Sequence, residues 1–157
     1  MKTLKTIYLD ASAICSLILE EPSSAKIVAM VDDAGTWFTS ALCLSEVINV
    51  LKRKWLKRSL TQLTQEEYFE KIYLLTAMLR ERRITIRDLD LSNPDLYDET
   101  TEIAKKHNID IADALQIATL KRTLTAFTGE SSTRLISVDK HLVDSARAEG
   151  INAEYAG

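Results

Sequence analysis

The sequence predicts an α/β fold in which helices cover both faces of a short, mostly parallel sheet. Short β-branched and aromatic runs alternate along the chain with longer segments whose apolar residues recur at helical spacing. This alternation is typical of parallel sheets, because the crossover connections between parallel strands place helices on the faces of the sheet. The 157 residues, 46% of them hydrophobic and 27% charged, are enough to bury such a core. With four glycines, two prolines and no linker-like or repeated stretch, we expect a single domain over residues 1–157.

The first half of the chain contains two predicted strands, each followed by helices. Asp10 ends the first β-branched run, and apolar residues then recur at helical spacing. Pro22 followed by two serines is a typical helix start, and the turn-forming run Asp32-Asp-Ala-Gly35 ends that helix. The predicted elements are a strand at Thr6–Leu9, helices over 11–19 and 22–32, a strand at Thr36–Thr39 and a long helix from residue 40 into a basic segment.

The second half of the chain contains the remaining predicted elements. The long helix from Ser40 and the helical pattern that follows it are expected to form a helical hairpin. Asp139 ends another apolar, β-branched run, which is typical of a core strand. The predicted elements are helices over about 64–82, 93–107, 110–124 and 141–149, and strands at Ile84–Ile86, 134–138 and 152–155, the last at a sheet edge.

Charge and hydropathy argue against several classes of protein. Twenty basic and 23 acidic residues give a net charge of -3, which argues against a protein that coats nucleic acid through bulk charge. No apolar run approaches the ~18 residues that a membrane span needs, and no apolar signal segment follows the first residues. Cys15 and Cys43 match no zinc or redox spacing and are expected to be reduced core residues. We therefore expect a soluble, cytoplasmic protein.

Two of the predicted strands end in an aspartate. Asp10 follows the first strand, and Asp139 follows the strand at 134–138. In parallel α/β sheets, ligands bind outside the carboxyl ends of the strands, so both side chains are candidates for one site. Each aspartate alone could equally serve as the N-cap of the helix that follows it. Two such residues in one chain favour a site.

Two further acids lie on predicted helices. Glu46 lies among apolar residues in the second turn of the helix from Ser40, and an exposed helical glutamate is the alternative. Asp113 lies in an almost wholly apolar helix, where an unpaired buried carboxylate is costly, so a cation should meet it. Asp110 and Asp113 share a helix face, either as two ligands or as an N-cap and its partner. We favour Asp110 as the cap and Asp113 as the site residue.

A site made of these acids would need a divalent cation. The candidates are Asp10, Glu46, Asp113 and Asp139. Their carboxylates would repel one another, and they would also repel a phosphate. Oxygen-only ligands favour Mg²⁺ or Mn²⁺. Such a cation can lower the pKa of a bound water, orient it for in-line attack and neutralise charge on a phosphodiester, as metal-dependent nucleases require.

Four short motifs surround these acids. They are Tyr8-Leu-Asp-Ala-Ser-Ala13, Ser45-Glu46, Ile111-Ala-Asp-Ala-Leu115 and Ser137-Val-Asp-Lys-His-Leu142. In this order and at this spacing, the motifs resemble those of PIN-domain ribonucleases, and more narrowly those of the VapC-type toxins of bacterial and archaeal toxin-antitoxin pairs. The resemblance spans nearly the whole chain.

The resemblance implies a PIN-like α/β/α sandwich and Mg²⁺- or Mn²⁺-dependent endonucleolytic cleavage of RNA. The family's catalytic and metal-binding acids would fall on Asp10, Glu46, Asp113 and Asp139. Ser12 and Ser137 match hydroxyl positions beside the first and last aspartates, where they would bond to a metal-binding carboxylate or contact a phosphate. The resemblance also implies a cognate antitoxin whose tail covers the site, and a homodimer.

A basic segment with one tryptophan is the candidate RNA contact. Lys52, Arg53 and Lys54 could hold the RNA backbone, and Trp55 could stack on a base. A solvated helix face is the alternative for this segment, which runs to Arg58. The two histidines, 107 and 141, each follow a lysine and are predicted to be surface residues rather than general bases.

The alternative function is a catalytically silent module of the same fold that binds RNA or a partner protein. In such a module the acids would serve as helix caps and as a structural cation site. The presence of all four acids argues against it, because a decayed enzyme should have lost at least one.

Overall fold

A parallel sheet of five strands forms the centre of the structure, a computed structural model that describes residues 6–32, 36–57, 60–126 and 133–157. The strands are β1 (Thr6–Leu9), β2 (Thr36–Thr39), β3 (Ile84–Ile86), β4 (Thr133–Ser137) and β5 (Ala153–Tyr155). Their order across the sheet is β3-β2-β1-β4-β5, and every neighbouring pair is parallel. The central strand, β1, therefore lies between β2 and β4.

Helices cover both faces of this sheet. They are α1 (Ala11–Ile18), α2 (Ser24–Asp32), α3 (Ala41–Trp55), α4 (Gln65–Arg80), α5 (Pro94–His107), α6 (Ile111–Ala126) and α7 (Lys140–Ala148). Along β1, Ile7 and Leu9 pack against α1 to α4, whereas Tyr8 packs on the other face against α5 to α7. The predicted α/β/α sandwich is confirmed. Within the described ranges, no helix has the length and apolar character that crossing a membrane requires.

The predicted strands and helices are found in the described residues, with small differences at their ends. The strand predicted at 134–138 runs over Thr133–Ser137, so Val138 lies beyond it. The helix predicted from Pro22 begins at Ser24, whose hydroxyl donates to Leu19 O at 2.8 Å across the preceding turn. The turn residues 33–35 lie outside the described residues.

The topology places one crevice at the carboxyl edge of the sheet. From β1 the chain adds β2 and β3 on one side, and it later adds β4 and β5 on the other side. The connections therefore leave β1 and β4 in opposite directions, and ligands of parallel α/β sheets bind at this kind of switch point. Asp10 and Asp139 follow these two strands directly or within two residues.

A carboxylate away from the sheet joins three helices. Glu149 follows α7, and its side chain is only 8% exposed. Its carboxylate accepts hydrogen bonds from Lys106 Nζ at 2.7 Å, from His107 Nε2 at 2.6 Å and from Lys121 Nζ at 2.9 Å. These hydrogen bonds tie α5 and α6 to the end of α7. The prediction that His107 is a surface residue is wrong, since its side chain is 10% exposed and meets Glu149, whereas His141 is exposed.

We expect Glu149→Gln to lower the free energy of unfolding by about 1.5–3 kcal/mol near neutral pH, the range for hydrogen bonds to charged groups. The hydrogen bonds from His107, Lys106 and Lys121 lower the pKa of Glu149 to about 2, from an ordinary value of 4.5. The wild-type contribution is therefore complete above the ordinary value, and it is lost as the pH falls towards the folded-state pKa.

Urea unfolding of both proteins at neutral pH and in acid measures this contribution. The difference between wild type and Glu149→Gln should shrink in acid. Glu102→Gln is the matched control, because the Glu102 side chain is 78% exposed and contacts Lys105 at 3.6 Å. Equal losses in the two variants would contradict the assignment.

Candidate active site

The predicted acids meet in one pocket at the carboxyl edge of the sheet. The pocket has a volume of about 760 Å³. Its lining includes Asp10, Glu46, Asp113 and Asp139. These side chains come from four parts of the chain: the end of β1, the second turn of α3, the first turn of α6 and the N-cap of α7.

Asp10 is held by hydrogen bonds to both of its carboxylate oxygens. It is buried at the N-cap of α1, where its Oδ1 accepts from the Ala13 N–H at 2.8 Å. The Ser12 hydroxyl lies 2.8 Å from each oxygen, and the Ser137 hydroxyl donates to Oδ2 at 2.6 Å. The two serines of the sequence prediction therefore contact the same carboxylate.

The same serines link the turns that follow β1 and β4. Their hydroxyl oxygens lie 3.3 Å apart. The Val138 N–H donates to Ser12 Oγ at 2.9 Å, and the Asp139 N–H donates to Ser137 Oγ at 2.9 Å. This network fixes the position of Asp139 relative to Asp10.

Asp139 is exposed and combines two roles that sequence analysis treated as alternatives. Its Oδ1 caps α7 by accepting from the N–H groups of His141 at 2.8 Å and Leu142 at 3.2 Å. Its side chain also lines the acidic pocket. Asp10 likewise caps α1 and lines the pocket, so in both residues helix capping is compatible with a place in the pocket lining.

Asp113 and Asp110 occupy the start of α6 in different ways. The Asp110 carboxylate accepts from the Asp113 N–H at 2.8 Å, which is the capping contact that the sequence predicts. Asp113 is half-buried, and its Oδ1 lies 3.4 Å from Gln116 Nε2. In the part of the chain that the structure describes, no lysine, arginine or histidine forms a salt bridge with Asp113. These basic side chains therefore do not provide the positive charge that the sequence predicts next to Asp113.

Burial and neighbouring negative charges raise the pKa values of Asp10, Glu46 and Asp113. Burial, followed by the charges of Asp110, Asp139, Glu46 and Asp10, raises the pKa of Asp113 to about 7. Burial and the charges of Asp10 and Asp110 raise the pKa of Glu46. Burial also raises the pKa of Asp10, although the hydrogen bonds from the two serines and the backbone oppose that effect. Acidic side chains therefore outnumber the two basic side chains of this pocket, Lys52 and Arg53, and no salt bridge among the described residues pairs them.

This donor set fits a hard divalent cation. The four carboxylates supply oxygen ligands, which Mg²⁺ and Mn²⁺ prefer. Among the described residues, no three acidic, histidine or cysteine side chains are grouped closely enough to form a ready-made metal site. The four carboxylates nevertheless line one pocket, and like charges in one site disfavour the charged form of each group. The fit thus rests on the shared pocket and on carboxylates that no described salt bridge pairs.

The residues predicted to contact RNA, Lys52 to Trp55, do not all lie on one surface. Lys52 and Arg53 are exposed and line the acidic pocket. Lys54 lines a neighbouring groove, where its ammonium contacts the Thr61 hydroxyl. Trp55 stacks on Tyr68 of α4, with ring centroids 4.8 Å apart and an interplanar angle of 21°. Arg58 lies outside the described residues.

Two side-chain amides of the pocket lining were not predicted from the sequence. Asn49 and Gln116 line the acidic pocket. Asn49 follows Glu46 by three residues, and Gln116 follows Asp113 by three residues. Residues three apart share a helix face, so this spacing was the available signal.

Comparison with known proteins connects this site to a family. The sequence model described as "PIN domain" matches residues 7–148. No curated protein matches the chain.

Solved structures share the fold of this chain. The PAE2754 protein of Pyrobaculum aerophilum is 15% identical and superposes with a TM-score of 0.60, covering 98% of this chain and 92% of its own. A second structure is VapBC2 from Rickettsia felis, bound to a DNA fragment from the VapBC2 promoter. It is 14% identical and superposes with a TM-score of 0.62, covering 97% of this chain and 99% of its own. Since the family match spans nearly the whole chain and carries the acidic motifs, the protein belongs to the PIN domain family.

Proposed function

We propose that the protein is a metal-dependent endoribonuclease that cleaves RNA phosphodiester bonds. The observation that carries the proposal is that four carboxylates, from four parts of the chain, line one pocket and form no salt bridge among the described residues. Such acids at the carboxyl edge of a parallel sheet are what a divalent-cation nuclease needs. Membership of the PIN domain family supports the nuclease class.

Three of the acids would hold the cation in this proposal. Asp10, Asp113 and Asp139 would be ligands, directly or through water, and Glu46 would hold a second ion or orient the attacking water. A bound Mg²⁺ or Mn²⁺ supplies a more acidic water and neutralises phosphate charge. Ser12 and Ser137 keep the Asp10 carboxylate in place through their hydroxyl groups.

The reaction is an in-line displacement at phosphorus. The water loses a proton as its oxygen bonds to the phosphorus atom, the bond from phosphorus to the 3′ oxygen breaks, and that oxygen takes up a proton. The products are a 5′-phosphate and a 3′-hydroxyl. Lys52 and Arg53, at the wall of the same pocket, would hold flanking phosphates of the RNA.

A partner protein would control this activity. We propose that the protein is the toxin of a toxin-antitoxin pair that acts in the cytoplasm as a homodimer, and the VapBC2 likeness in fold supports this class of partner. An antitoxin arginine in the acidic pocket would pair with two carboxylate oxygens at once. Such a contact would occupy the ligands that the cation requires.

The test is cleavage of total cellular RNA by the purified protein. We expect discrete fragments with 5′-phosphate ends in Mg²⁺ or Mn²⁺, no cleavage in EDTA, and no cleavage by protein that still carries its antitoxin. Fragments that end in a 2′,3′-cyclic phosphate would contradict the mechanism, because that product requires the RNA 2′-hydroxyl as nucleophile. No cleavage by folded, partner-free protein would favour a binding module.

A further inference from the structure

A buried amide, Gln116, lies beside Asp113 on α6. Its side chain is 2% exposed, in a stretch of the helix whose other members are mostly apolar and buried. Its Nε2 lies 3.4 Å from Asp113 Oδ1 and donates to it. Its Oε1 is buried and has no hydrogen-bond partner among the described residues. An unsatisfied buried acceptor destabilises the folded state, and an apolar side chain would avoid that cost.

The amide keeps this orientation because the reverse is worse. When the Asp113 carboxylate is ionised, as a metal ligand must be, rotation by half a turn would place Oε1 against Asp113 Oδ1, which is acceptor against acceptor. The Gln116 side chain therefore keeps the hydrogen bond from its Nε2 to Asp113, although its Oε1 has no hydrogen-bond partner among the described residues. Within the described residues, this is the hydrogen bond that the Asp113 carboxylate receives.

Comparison of the acids shows what the amide supplies. Asp10 is held by Ser12 and Ser137, and Asp139 is held by the backbone N–H groups of α7. Gln116 gives Asp113 a side-chain donor too, at the longer distance of 3.4 Å. The donor is neutral, so it orients the carboxylate without cancelling the charge that attracts a cation, as a lysine or arginine would.

We propose that Gln116 is a positioning residue that orients the Asp113 carboxylate and so sets the affinity of the pocket for a divalent cation. The inference rests on the proposed function, because it assumes that Asp113 is a ligand. Gln116 also lines the acidic pocket itself, next to the carboxylates. Hydrogen-bond partners of metal-binding side chains typically change metal affinity or activity about 10- to 100-fold when they are removed.

Titration of the full chain with Mn²⁺ in a calorimeter, without RNA, tests the proposal. Gln116→Met keeps the length of the side chain and removes the donor, and we expect Mn²⁺ to bind about tenfold more weakly. The melting temperature in EDTA should stay the same or rise. Excess Mn²⁺ should restore RNA cleavage, which it would not do for a structural defect. Ile117→Met is the matched control, because Ile117 is buried on the same helix and is outside the pocket lining.

Each outcome decides the proposal. Unchanged Mn²⁺ affinity in Gln116→Met would overturn the role of Gln116 and leave the proposed function in place. If that variant does not fold, Gln116→Asn replaces it, since the shorter amide cannot keep the contact and should bind Mn²⁺ equally weakly. Wild-type protein that binds Mn²⁺ no better than Asp10→Asn would overturn the metal site itself, and the inference with it.

Discussion

Asp10→Asn should slow RNA cleavage at least about a thousandfold while the fold is retained. A bound cation supplies several kcal/mol of charge stabilisation in the transition state, and each 1.36 kcal/mol is about tenfold in rate. Asparagine is as good an N-cap as aspartate. The hydroxyls of Ser12 and Ser137 can donate to its amide oxygen and accept from its amide nitrogen.

Cleavage rates and thermal unfolding of the same preparations measure the two effects separately. Asp144→Asn is the matched control, because it removes one acid from α7 at a side chain that is 55% exposed and outside the pocket lining. Its rate should equal that of the wild type. Asp10→Asn protein that is folded and cleaves RNA at the wild-type rate would refute the site.

Asp113→Asn should abolish cleavage and, in the absence of metal, make the protein more stable. The Asp113 carboxylate is repelled by Asp110, Asp139, Glu46 and Asp10, so its removal relieves like-charge repulsion. Because the group is half-buried and water screens it, we expect a gain of only about 1 kcal/mol in the free energy of unfolding. A residue that destabilises the apo protein and is needed for activity is typical of functional sites.

The sign of the pH effect follows from the direction of the pKa shift. The folded protein holds a proton on Asp113 up to a pKa of about 7, whereas the unfolded chain releases it near 3.8. The contribution of Asp113 to wild-type stability therefore falls as the pH rises between these values, and the advantage of Asp113→Asn grows over the same window. Added Mn²⁺ should raise the melting temperature of the wild type and leave that of Asp113→Asn nearly unchanged. A destabilised variant in EDTA at alkaline pH would contradict this account.

Local signals in the sequence were enough to predict the fold. Apolar spacing and capping residues predict each helix and strand to within a few residues, because these signals act between near neighbours. The capping role of Asp110 is an example, since its carboxylate needs only the N–H of a residue three positions along. The four acids could also be identified from the sequence as candidate site residues, because a charged residue is unusual at the end of a core strand or within an apolar helix.

Contacts made across the fold could not be predicted in the same way. His107 looks exposed beside two lysines, yet Glu149 reaches it from 42 residues away. Lys54 follows Arg53 directly, yet the helical turn directs it to a different groove. The role of Gln116 depends on an unsatisfied oxygen, which only a packed structure reveals.

The contact between Ser12 and Ser137 can form only after the ribosome has synthesised most of the chain. These serines are 125 residues apart, and they bring together turns that follow β1 and β4. A nascent chain that has emerged only as far as α6 already holds Asp10, Glu46 and Asp113, yet it lacks Ser137 and Asp139. Contacts with such sequence separation form late, because a long loop must close first. A growing chain on the ribosome would therefore lack the Asp10 contact from Ser137, and Asp139 in the pocket lining, until β4 inserts beside β1.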